Sequence, residues 1–147
     1  MNQHIISRIA IFLLAIVMIV FGIEHFIHPD HLLIKVPDFL PGGKVWVYTT
    51  GIAFILAGIS FITNIMVRVA AYLLALLLLI FVFTIHLPNY MHTADMDYQR
   101  QAFNNLLKDT ALAAFALYIA ANARNQHILE KTTFEEESEK RREAQLA

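Results

Sequence analysis

Apolar residues fall in four long runs, and the polar residues that interrupt the pattern collect at the ends of those runs. Glu24, His25 and His28 close the first run, His86 closes the third, and Asn105, Lys108 and Asp109 open the fourth. Apolar stretches this long, with few charges, predict membrane-spanning helices. The expected spans cover about residues 5–28, 45–62, 69–87 and 105–122. The fold expected is therefore all-α, a bundle of four transmembrane helices within residues 1–123. A charged cytoplasmic tail, helical or disordered, follows over 124–147. If successive spans alternate in direction, all seven of those polar residues arrive near one face of the bilayer. Ionisable groups at that depth are costly, so their convergence marks a candidate site.

The breaks between runs set the boundaries. Pro29 should end the first helix and Pro88 the third, since proline removes a backbone donor and disfavours helix just before it. The connector over residues 29–43 holds three prolines and two glycines, with a short amphipathic piece expected near residues 31–36. Trp46 and Tyr48 stand where an interfacial aromatic belt is expected. Gly51 and Gly58 are seven residues apart on one helical face with Ala57 beside them, a pattern for close helix packing. The fourth span is uncharged only between Asp109 and Asn122. It reaches across ~30 Å of hydrocarbon only if residues 104–109 also lie at membrane depth. Its alanines (Ala111, Ala113, Ala114, Ala116, Ala120, Ala121) suit a helix packed inside a bundle. In the tail, Thr132 and Thr133 each precede a glutamate by three residues, the pattern of a helix-capping box.

Composition narrows the classes. The chain has 147 residues, 58% hydrophobic and 16% charged, which is more apolar and less charged than a soluble domain of this size. A net charge of −1 gives no basis for nucleic-acid binding. There is no cysteine, which excludes disulfides, thiol redox chemistry and cysteine-ligated metal sites. The first run ends in Glu24-His25-Phe26-Ile27-His28-Pro29, not in a small-x-small cleavage site, and reads as a retained helix rather than a signal peptide. Arg8, Arg68, Arg124, Lys131 and the basic residues of the tail would lie on one side of the membrane. Lys35, Lys44, Arg100 and Lys108 would lie on the other. The positive-inside tendency then puts both termini in the cytoplasm of a bacterial inner membrane, and the polar cluster on the periplasmic side.

Within the cluster, Glu24 and His28 are four residues apart, and Asn105, Lys108 and Asp109 share a face. A carboxylate withdrawn from water needs a cation or donors beside it, so Glu24–Lys108 and His28–Asp109 are the pairs expected. Carboxylates, a lysine and histidines can exchange protons near neutral pH or hold a polar headgroup such as a quinone carbonyl. The same residues could equally be helix-end groups that reach into water or neutralise one another. A metal on His25, His28 and His86 ranks lower, because the spacing lacks a zinc-type pair with a placed third ligand. Haem between His25 or His28 and His86 ranks lower still. Membership of His31 and His92 in the site stays open. There is no Gly-rich phosphate loop, nucleophile triad pattern or dinucleotide fingerprint.

The stretch Phe21-Gly22-Ile23-Glu24-His25-Phe26-Ile27-His28-Pro29, with Val36-Pro37-Asp38-Phe39-Leu40-Pro41 after it, resembles the DoxX/DoxD-like membrane proteins. So do Tyr48-Thr49-Thr50-Gly51 through Gly58, Arg68-Val69-Ala70-Ala71, and Leu106-Leu107-Lys108-Asp109-Thr110-Ala111-Leu112-Ala113. The resemblance extends from Arg8 to Ala121 and rests on apolar patterns with a few fixed polar points. It implies a four-helix membrane bundle linked to respiratory or redox assemblies, including quinone-coupled sulfur oxidation and oxidative-stress complexes. Related vertebrate four-span proteins look like receptor-assembly chaperones. Many members carry an acidic residue between the two glycines of the second helix, where this chain has only apolar residues over 52–57. That departure shifts weight onto Glu24, His28 and Asp109.

The function expected is a DoxX-like inner-membrane subunit, redox- or respiration-associated, whose periplasmic pocket binds a quinone-like or amphipathic ligand. The residues spell out no reaction. Its partners would be the lipid bilayer, a redox or respiratory protein and further copies of itself. The alternative is a membrane assembly or scaffold protein whose polar cluster is structural.

Overall fold

The computed structural model describes residues 3–34, 36 and 42–146, and no strand occurs among them. Helix α1 spans Gln3–Ile27, the short α2 Pro29–Leu33 and α3 Lys44–Thr63. Helix α4 spans Val67–Phe81 and runs through a π turn at Val82–His86 into α5, Leu87–His92; α6 spans Met96–Leu146. Four stretches are long and apolar enough to cross a membrane: Ile5–Ile27, Lys44–Thr63, Val67–His92 and Met96–Ala123. The protein is an all-α four-helix membrane bundle. Lys35 and residues 37–41, which carry part of the connector and of the family-like motif, lie outside the described residues.

The bundle is built from two tightly packed helix pairs, α1 with α3 and α4 with α6. Glycines set the first. A Cβ placed on Gly58 would lie 2.8 Å from the Ala15 carbonyl, and one on Gly22 would lie 2.7 Å from the Gly51 carbonyl. The two backbones therefore touch, the close approach that small residues permit in lipid. Gly51, Ala57 and Gly58 are all buried, as their spacing predicts. Gly22, opposite Gly51, is the packing glycine that the spacing did not reveal. Alanines set the second pair, where Ala71 and Ala75 of α4 and Ala113, Ala116 and Ala120 of α6 are almost fully buried. One apolar core joins all four long helices through Met18, Phe54, Leu78 and Ile119, among others.

Three boundaries differ from expectation. Pro29 does end α1, but it also opens α2, since its fixed φ suits a first helical position. Pro88 does not end the third span. It sits in the first turn of α5, and the preceding π turn absorbs the missing donor, with Leu87 N–H reaching back to the Val82 carbonyl. The fourth helix begins nine residues earlier than residue 105, at Met96. There Asp95 Oδ1 accepts the backbone N–H of Asp97 at 2.9 Å and of Tyr98 at 3.2 Å, an N-cap in place of an apolar start. At its other end α6 passes through Thr132 and Thr133 without a break, so no new helix is capped there.

Candidate functional site

The turn at residues 64–66 holds α3 and α4 together at one end of the bundle. At the opposite end a cavity of about 820 Å³ lies between the two helix pairs. Its lining includes all seven polar residues that the sequence singled out: Glu24, His25, His28, His86, Asn105, Lys108 and Asp109. His31 lines it as well, whereas His92 does not. Alternation of the spans is what brings the end of α1, the end of α4 and the first third of α6 to one level.

His86 and Asp109 form the buried polar centre. The ring N–H at Nε2 donates to Asp109 Oδ2 at 2.9 Å, and the two side chains are 10% and 7% exposed. Sequence and backbone explain the meeting. Asp109 rides on α6, His86 ends the π turn of the helix packed directly on α6, and the wider turn keeps His86 on the buried face of Leu78 and Val82. Lys108 adds its charge, with Nζ 3.5 Å from Asp109 Oδ1 and 3.3 Å from Asn105 Oδ1. The same ammonium stands 4.7 Å from the centre of the Phe21 ring, a cation–π contact that bridges α6 to α1.

At the end of α1, Glu24 and His28, the residue that follows the helix, face each other at 3.9 Å with both side chains 53% exposed, an ion pair only when the histidine is protonated. His28 also meets His31 edge-on, with ring centres 5.9 Å apart. His25 donates from Nδ1 to the Phe21 carbonyl at 2.6 Å and packs edge-on against Phe54 at 5.4 Å. Outside the cavity mouth, Lys44 Nζ lies 2.6 Å from Asp30 Oδ1 and ties α2 to the start of α3.

The expected pairings are thus exchanged. Asp109 bonds His86 rather than His28, and Glu24 faces His28 rather than Lys108. The reason is the helix pairing, because α6 lies against α4 while α1 lies against α3. His25, His28 and His86 do not gather as metal ligands, since no group of three His, Asp or Glu side chains with that potential occurs among the described residues. The one ring nitrogen of His86 with an assigned bond, Nε2, is engaged by Asp109.

Sequence reasoning missed the walls. Phe54 stands between Phe21 and Phe81, each ring centre 6.3 Å away, and the three form an aromatic floor. Trp46, Thr49, Thr50 and Thr84 also line the cavity. An aromatic or threonine inside an apolar run carries no signal of its own, so only the fold could assign them. Together the parts offer an apolar chamber, one buried histidine–carboxylate pair, and a lysine held ready at the wall by an aromatic face.

Among comparisons with known proteins, the model of one family, described as a domain of unknown function, DUF8561, matches residues 14–117. The matched stretch runs from α1 into α6 and contains every residue of the polar centre. No curated protein and no solved structure matches the chain.

Proposed function

This chain belongs to the DUF8561 family, and we propose that it is a redox- or respiration-associated membrane subunit that binds a quinone-like amphipathic ligand in its cavity. The observation that carries the reading is the pairing of a mainly apolar chamber of about 820 Å³ with a few convergent polar groups. That combination is the ordinary make-up of a small-molecule site. Lys108 supplies N–H donors for a ligand carbonyl. Glu24 and the His86–Asp109 pair accept from a hydroxyl, and the Phe21, Phe54 and Phe81 rings hold an apolar ring system. The resemblance to DoxX-like proteins supports a respiratory setting. The distribution of basic residues supports a bacterial inner membrane, cytoplasmic termini and a cavity that faces the periplasm. The partner in that setting is a redox or respiratory protein.

Trp46, the single tryptophan, lines the cavity and makes the test direct. Decylubiquinone titrated into the detergent-solubilised full chain is expected to quench Trp46 fluorescence saturably. A Glu24→Ala/Lys108→Ala variant, altered at two exposed side chains, is expected to bind about tenfold more weakly. Quenching that never saturates, or is identical in both proteins, sinks the reading and leaves the scaffold alternative.

A further inference from the structure

The donors and acceptors that line the cavity are unequally committed. Most of the donors already have partners inside the protein. The Thr49 and Thr84 hydroxyls donate to carbonyls of their own helices, Val45 at 2.8 Å and Ile80 at 2.6 Å, so each offers the chamber only an oxygen lone pair. His86 directs its Nε2–H to Asp109, and His25 directs its Nδ1–H to the Phe21 carbonyl. The Lys108 ammonium has three N–H bonds and three neighbours for them: Asn105 Oδ1, Asp109 Oδ1 and the face of Phe21. A ligand carbonyl that takes one of these must draw it from its present partner.

The acceptors are placed the other way. Glu24 lines the same chamber, and its ion-pair partner among the described residues, the His28 ring, stands 3.9 Å away, beyond hydrogen-bond distance. Both carboxylate oxygens are therefore open to a donor from the ligand. Asn105 Nδ2 and the Thr50 hydroxyl remain as donors, and that hydroxyl accepts equally well. His28 and His31, with one donor and one acceptor nitrogen each when neutral, favour neither kind of ligand. Two carboxylates, Glu24 and Asp109, stand against one ammonium in the lining, which sets the cavity against an anionic head. Lys108, inside the same chamber, works against a cationic one.

We propose that the cavity selects a head that donates hydrogen bonds, an uncharged aromatic hydroxyl, and so holds the reduced, quinol form of its ligand in preference to the quinone. This rests on the reading of the cavity as a quinone-like-ligand site and adds which form of that ligand it takes. The two forms share ring substituents and tail, so the apolar walls and the Phe21, Phe54 and Phe81 rings do not tell them apart. The polar atoms do. A quinol hydroxyl donates to Glu24 in a charge-assisted bond, whereas a quinone carbonyl turned to the same carboxylate sets acceptor against acceptor with no proton between them. Tighter binding of the reduced form also raises the potential of the bound two-electron couple above that of the free one, by about 30 mV for each tenfold in affinity ratio. The bound ligand is thereby kept reduced.

The test varies donor content on one skeleton. Decylubiquinol kept under nitrogen, decylubiquinone, and the ether in which both quinol hydroxyls are methylated are each titrated calorimetrically into the detergent-solubilised full chain. The native chain is expected to bind the quinol about tenfold more tightly than either the quinone or the ether. The ether comparison needs no variant. Glu24→Gln replaces a group that only accepts with one that also donates. It is expected to weaken the quinol about tenfold and to tighten the quinone by up to about threefold, so that the preference reverses. Quinone binding by the variant also shows that it is folded. Equal affinity for quinol and quinone in the native chain, an ether bound as tightly as the quinol, or a quinol preference that survives Glu24→Gln overturns the proposal and leaves the cavity reading standing. Failure of the native chain to bind any of the three overturns both.

Discussion

The two helix pairs of this bundle are held together by different means. Between α1 and α3 the contact is backbone on backbone at Gly22, Gly51 and Gly58, and the polar groups at the end of α1, Glu24 and His28, stay half exposed. Between α4 and α6 the contact is an alanine face plus one buried polar link, His86 with Asp109 at 2.9 Å. Hydrogen bonds between membrane helices contribute only ~0.6 kcal/mol on average. Withdrawing charged groups from water costs several kcal/mol each and is often not recovered by pairing. A bundle selected for stability alone would do as well with leucines there. The difference separates a pair held by backbone contact from a pair that also buries a polar link between its helices.

Substitutions can break that distinction. The steric pair should suffer most. Gly58→Val puts side-chain carbons against the Ala15 carbonyl and Ile19, and is expected to destabilise the bundle by about 3 kcal/mol. Thermal unfolding in detergent would register the loss, and an unchanged midpoint would refute the close approach. Next comes Asp109→Ala, which strands the buried His86 ring and Lys108. It should cost about 2 kcal/mol, with Asp109→Asn recovering part of it because an acceptor remains. Replacing both partners, His86→Leu with Asp109→Leu, should bring stability back to within about 1 kcal/mol of the native chain. Decylubiquinone binding should nevertheless be abolished. A double variant that melts far lower would make the pair structural. Smallest is Glu24→Gln, expected to move stability by less than about 0.5 kcal/mol because the Glu24–His28 pair is exposed and only four residues apart in sequence.

The sequence made the four spans, their class and the gathering of seven polar residues legible, since run length and position relative to run ends are written in one dimension. Partnership was not. Asp109 with His86 depends on which helices pair, and that is settled by small residues whose opposing surfaces lie elsewhere in the chain, such as Gly22 against Gly51. The passage of the helix through Pro88 was hidden because a π turn is a local compensation that no propensity announces. The start of α6 at Met96 was hidden because Asp95, its N-cap, stands in a polar connector.

The central claim is that a bilayer-borne amphipathic molecule occupies the cavity. The measurement that reaches it without a chosen probe is mass spectrometry of an organic extract from the purified, unsupplemented protein, with a Glu24→Ala/Lys108→Ala variant extracted in parallel. The expected result is an amphipathic molecule with a polar ring or head, near one per chain, enriched over the surrounding membrane and depleted in the variant. An extract that contains only bulk phospholipid, in the same proportions from both proteins, would contradict it.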